Sequence, residues 1–338
     1  MKKLLKNQVI GTLALSIAAI LIAGTTAVGA TYTWIGPDGG YWNDASNWLV
    51  DSTTSEDTTF IGTGGTVIID SSGTGGIASP DNVVLDSGSV LELYGIRGSH
   101  SETSFKSITA GTGGGTFLLN GGWFTFYKNE YGDVPRGIMG PNVDVVVAGT
   151  ESLLRAGHNG KPTIYGDLSG SGRLCTLSGY GTLYLEGSVT PGSIGVVDTL
   201  EISYNYDIGH SNACSKDFGA DVLFNFDLGG TDNYDQLLIS QGGWDLTIHD
   251  LDLDNFSFNY LDGFGEGIYV LIDDFYDRDS ITGSLGTDLT RVVGDYQETL
   301  SMVDNDFILT VTAVPEPATI SILAAGMLLA GKKRRSAA

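Results

Sequence analysis

The acidic residues offer the first chemistry in this chain. Asp250, Asp252 and Asp254 carry carboxylates at every second position. On a strand the three would share one face, and three carboxylates on one face are candidate Ca2+ ligands. The run starts as a calcium-binding loop does. Asn255, however, stands where such a loop needs glycine, and Leu261 where it closes on glutamate. A solvated strand face with Leu251 and Leu253 turned inward gives the same pattern. Asp273, Asp274, Asp277 and Asp279 form a second acidic cluster beside Arg278. Paired carboxylates are what glycoside hydrolysis uses, and a solvated loop also accounts for them. Gly209-His210-Ser211-Asn212-Ala213 is half of a nucleophile elbow, with Ala213 replacing the last glycine. That motif needs a strand–turn–helix setting, which the surrounding residues do not provide, and His249 is the only histidine downstream. His100, His158 and His210 lie in polar, turn-like text without a partner at metal-ligand spacing. In Trp123-Phe124-Thr125-Phe126-Tyr127, strand alternation puts Trp123 and Tyr127 on one face. Exposed, the pair would stack on sugar rings; covered, it would fill a core.

Composition narrows the setting of these groups. Of 338 residues, 49 are glycine, roughly twice the usual share of about 7%. Hydrophobic residues make up 41% of the chain, enough to form a core and to exclude wholesale disorder. With four histidines and two cysteines, no histidine- or cysteine-rich metal site is expected. The net charge is −23. Seven of the 17 basic residues sit at the two ends, as Lys2, Lys3, Lys6, Lys332, Lys333, Arg334 and Arg335. Ten are left in the middle, against all 40 acidic residues. A body so acidic is no nucleic-acid partner, because that affinity rests on Lys and Arg neutralising phosphates.

The middle of the chain reads as all-β. No long window repeats apolar residues at helical spacing. Short β-branched runs recur instead, among them Val67-Ile68-Ile69, Val90-Leu91-Glu92-Leu93-Tyr94, Val143-Asp144-Val145-Val146-Val147 and Thr182-Leu183-Tyr184-Leu185. Gly, Asn, Asp or Ser bound nearly all of them, which is the signature of strands joined by tight turns. A loose repeat of roughly 20–25 residues predicts a right-handed parallel β-helix or related solenoid, with a β-sandwich as the competing architecture. A soft boundary falls near Pro191–Asp198, dividing a glycine-rich 31–195 region from a β-rich 196–313 region that reads as either a sandwich-like cap or a continuation of the solenoid. In Asp221–Leu228, alternation puts Val222, Phe224, Phe226 and Leu228 on a buried face. Trp34, Trp42 and Trp48 are expected to cap the open end that a solenoid must shield.

The two ends read as targeting segments with terminal helices. Residues 1–30 have a basic start, an apolar stretch from Val9 to Ala23, and small residues at Val28-Gly29-Ala30. That is a secretory signal, predicted to be handled by the Sec machinery and cut by signal peptidase after Ala30. Export would let Cys175 and Cys214 oxidise, although two cysteines do not prove a pair. Residues 314–338 open with Val314-Pro315-Glu316-Pro317, continue as an apolar run from Ala318 to Gly331, and end on Lys332-Lys333-Arg334-Arg335. The run is shorter than the ~20 residues that span a bilayer comfortably, and the basic side chains can snorkel to compensate.

This tail resembles the PEP-CTERM sorting signal of bacterial exported proteins, with triplet, apolar helix and basic cluster in that family's order. The resemblance implies an exosortase-like processing enzyme that cuts near Pro315-Glu316-Pro317, and a bacterium that makes extracellular polysaccharide. It covers about 25 residues and implies routing alone. Trp34-Ile35-Gly36 followed by Trp42-Asn43-Asp44-Ala45-Ser46-Asn47-Trp48 looks like the opening of autotransporter-like β-helix passengers. Gly166-Asp167-Leu168-Ser169-Gly170-Ser171-Gly172, then Val189-Thr190-Pro191-Gly192 and Tyr234-Asp235-Gln236-Leu237, resemble the glycine rungs that close such passengers.

Together these readings predict a non-enzymatic exported protein of the cell surface or extracellular matrix. It would need no cofactor beyond the Ca2+ candidate, and extracellular polysaccharide is a candidate partner. The alternative is a carbohydrate-active enzyme or glycan-binding module on a β-helix. Fold analogy alone carries that alternative.

Overall fold

The computed structural model describes residues 30–51, 58–70, 81–95, 105–126, 137–149, 152–156, 161–177, 182–204, 215–240, 246–274 and 281–314. The expected terminal helices, the signal segment before Ala30 and the tail after Val314 lie outside these residues. The described chain is nearly all strand. Its helical turns are short 3-10 pieces such as Ala45–Asn47 and Leu253–Asn255.

Three large sheets account for the strands. Across the middle the chain visits them in turn. Ile138–Met139 lies in the first sheet, Val143–Val147 in the second and Ser152–Ala156 in the third. Thr163–Ile164, Leu168–Gly170 and Arg173–Leu177 then repeat the order. Each strand pairs in parallel with its counterparts one circuit before and one circuit after, as in Phe117↔Val145↔Leu168↔Val189. The sheets cross the Pro191–Asp198 region without interruption, through Val189↔Phe224 and Leu200↔Leu237. The circuit is less regular than the sequence suggests. It runs from 21 residues, Leu168 to Val189, to 37, Leu200 to Leu237. Connections of unequal length absorb the difference.

Apolar side chains of all three sheets point into one shared interior. The alternation read from Asp221–Leu228 is present: Val222, Phe224, Phe226 and Leu228 are buried, and Leu223 is exposed. Asp227 departs from it and is buried too. Stacked circuits approach closely at the glycine rungs. A Cβ on Gly187 would lie 2.0 Å from the Gly166 carbonyl oxygen, and one on Gly166 would lie 2.1 Å from that of Val143. Neither distance is compatible with a side chain, so these positions require glycine.

The two ends are closed differently. At the first, Trp34, Trp42 and Trp48 meet edge to face, with ring centroids 4.9 and 4.7 Å apart. Phe105, Phe124 and Phe117 continue this aromatic column inward. At the other, the third sheet turns antiparallel: Gly267–Asp274 pairs with Asp306–Ala313, then Tyr296–Val303, then Thr290–Val293.

Candidate functional site

The acidic run chosen for calcium is not a strand. Asp250 is in a left-handed turn with φ 49°, and accepts the Ser284 hydroxyl at 2.7 Å. Asp252 caps the 3-10 turn Leu253–Asn255 and accepts the Asp254 backbone N–H at 3.0 Å. Asn255 Oδ1 in return accepts the Asp252 N–H at 3.0 Å. The three carboxylates therefore do not share a face, because turn and cap geometry replaces strand alternation. Leu251 and Leu253 are buried, as expected. Among the described residues no three His, Cys, Asp or Glu side chains form a group able to hold a metal ion.

Most other candidates fall elsewhere. Trp123 lies in the strand Gly122–Phe126 of the third sheet; Tyr127 lies outside the described residues. So do Val28, Cys214, Gly209–Ala213, the three upstream histidines, Asp277, Asp279, and Pro315, Glu316, Pro317, Lys332, Lys333, Arg334 and Arg335. Ala30 and Val314 bound the described chain. Asp273 and Asp274 end the strand Gly267–Asp274, paired with Leu238 and Ile239. Cys175 is buried against the Ser203 hydroxyl at 3.1 Å. His249 sits on the outside of the first sheet, with Nε2 2.9 Å from Asp217 Oδ1.

Sequence reasoning missed two buried polar constellations. In one, Asp235 Oδ1 accepts the Asp198 backbone N–H and Oδ2 accepts that of Asp227, both at 2.8 Å. Asp227 in turn accepts from the Gly195 N–H and from Asn259 Nδ2. Three successive circuits are thus tied at one corner. Burial is the main influence on the Asp235 carboxyl. The Asp227 and Asp198 charges add to it, the two N–H donors oppose it, and its pKa is pushed up to about 7. In the other, Glu298 is wholly buried in the antiparallel end. It accepts Arg291 Nε at 2.7 Å and the Tyr260 hydroxyl at 2.6 Å. Arg291 also donates to the Leu253 and Phe256 carbonyls at 3.3 Å and lies 5.0 Å from the Phe258 ring centroid. Burial, followed by the bond to Glu298, pushes the Tyr260 pKa up to about 12. Both constellations hold backbone and side chains in place, and neither opens a position for a reacting group.

The outward side of the second sheet carries a different surface. Register aligns Tyr41, Ile68, Glu92, Leu118, Val146, Ser169, Thr190, Asn225 and Ser257 in one row. The first five strands of that row are aromatic or aliphatic apart from Glu92, and the last four are small and polar. Tyr94 stands out on the same side, and Tyr41 and Tyr94 are each about half exposed. The alternation in Val90–Tyr94 signals that Glu92 and Tyr94 share a face. Only the register between circuits joins them to Tyr41.

No protein-family model matches this chain, and no curated protein and no solved structure matches it significantly.

Proposed function

We propose that the chain is a non-enzymatic, exported structural protein of a bacterial surface or matrix. In this reading the three sheets are the faces of one parallel β-helix. Parallel strands joined by crossovers are right-handed in nearly all known cases, so the coil is assigned that hand. A signal segment ending at Ala30 and the PEP-CTERM-like tail from Val314 route it, with an exosortase-like enzyme cutting near Pro315-Glu316-Pro317.

One observation supports this most. Among the described residues, the buried carboxylates serve the stacking of circuits: Asp227 and Asp235 tie one corner, and Glu298 closes one end. Catalysis requires groups free to meet a substrate, whereas these are consumed in holding up a long, regular outer surface. The acidic body keeps such a surface soluble and spaced from like-charged neighbours.

Intact mass of the native protein from envelope and culture-supernatant fractions tests the reading. The expected species lacks residues 1–30 and everything beyond the 315–317 triplet, and turns over no glycan. A mass that retains Ala318–Ala338, or measurable glycan turnover, overturns it.

A further inference from the structure

The first five strands of the second sheet, from Gly40–Tyr41 through Thr66–Asp70, Ser89–Tyr94 and Gly115–Asn120 to Val143–Val147, pair in parallel and share one outward face. Strands about 4.8 Å apart, rising about 3.3 Å per residue, put Tyr41 and Tyr94 roughly 12 Å apart. Ile68 lies between them, and Leu118 and Val146 prolong the apolar row. Two half-exposed tyrosine rings held on paired strands present apolar ring faces with polar tips. That is the complement of a chain of linked pyranose rings, whose C–H faces are apolar and whose edges are polar.

Charge narrows the class of chain. None of these five strands contains Lys or Arg. Glu92 is oriented by Asn120 Nδ2 at 2.9 Å. Asp144 stands at the edge of the face, where burial and the nearby Asp167 charge raise its pKa. Elsewhere, by contrast, carboxylates meet cations: Asp81 meets Lys106 just before two strands of the first sheet, and Glu201 meets Arg173 on the third. A polyanion would be repelled from the second sheet, and a cationic ligand would supply the missing charge.

We infer that this face binds an amine-bearing polysaccharide, its sugar rings lying over Tyr41 and Tyr94 and its ammonium groups meeting Glu92 and Asp144. The inference gives a partner to the non-enzymatic surface protein proposed above. Binding by purified protein does not depend on sorting, so either reading can fail alone.

The test is calorimetric titration of the full chain with a glucosamine hexamer, its fully N-acetylated counterpart, a cellulose hexamer, alginate oligomers and oligolysine. Binding of the glucosamine hexamer is expected, at least tenfold tighter than that of the other saccharides. Tyr41→Ala with Tyr94→Ala, and separately Glu92→Gln, should each weaken it at least tenfold. All three side chains are at least partly exposed, so the variants should fold, and circular dichroism checks this. Asp295→Asn, in the turn of the antiparallel end, should change nothing. Three results would overturn the inference: no binding of the glucosamine hexamer, equal binding of the neutral saccharides, or oligolysine binding that matches it and survives both tyrosine substitutions.

Discussion

The two halves of the molecule share one architecture and fill its interior with different chemistry. Before residue 200 the buried polar groups described are neutral: Asn47, Thr58, Thr59, Ser89, Ser152 and Thr163. After it, Lys216, Asp227, Asp235 and Glu298 are all buried. The contrast extends to the ends, one sealed by packed indole rings and the other by an ion pair. Apolar packing is tolerant of register, whereas a buried charge accepts few geometries and is costly when they are lost. The second half also has the longer circuits, with 35 residues from Val189 to Phe224 and 32 from Phe224 to Phe256. Buried acids that tie one circuit to the next fix what the longer connections would leave loose.

The largest test of this contrast is at Glu298. Glu298→Ala leaves Arg291 without its carboxylate and the Tyr260 hydroxyl without its acceptor. Removing one member of a buried pair costs about 3–5 kcal/mol, read as a lower urea midpoint at unchanged slope. Replacing both Arg291 and Glu298 by Met should recover most of the loss, because no uncompensated charge remains. A single variant within ~1 kcal/mol of the parent would mean that the ion pair does not hold this end together.

Much of the fold was legible because it is local. Period-two alternation and glycine punctuation located the strands, and Val222–Leu228 showed which side faces in. Asp227 broke that pattern because its partners are remote: Gly195 lies 32 residues before it and Asn259 32 after it. No window along the chain brings those together. Asp250, Asp252 and Asp254 failed for the opposite reason. Alternate carboxylates fit a strand or a capped turn equally, and the deciding signal was Asn255, three residues after Asp252, which closes the capping box. The outer face around Tyr41 and Tyr94 was half legible, since each strand revealed its own outward residues but not their neighbours across circuits.

A smaller effect separates the halves by pH. The Asp235 carboxyl has its pKa raised to about 7 when folded, against about 3.9 for a free aspartate. The folded state therefore holds this proton more tightly than the unfolded chain does. Its contribution to stability is complete below about pH 4 and is lost as pH rises through 7. Asp235→Asn keeps the shape without the titration. Relative to the parent, the variant should gain stability steadily between pH 4 and 8 in parallel urea series. A constant difference across that range would show that Asp235 ionises as freely in the folded chain as in the unfolded one.

The smallest effect probes the neutral end. Trp48 Nε1 donates to the Trp42 carbonyl at 2.8 Å, but the buried Trp42 Nε1 has no acceptor among the described residues. Trp42→Phe removes that unsatisfied donor and keeps an aromatic ring against Trp48 and Phe105. The lost volume and the removed desolvation penalty oppose each other, so the net cost should stay below about 1.5 kcal/mol. Trp42→Ala abandons the ring and should cost about 3–5 kcal/mol. A wide gap between the two in thermal and urea unfolding would show an end held by ring packing, indifferent to the polar atom it buries. If Trp42→Phe were as costly as Trp42→Ala, this end too would depend on a specific polar contact, and the contrast between the halves would disappear.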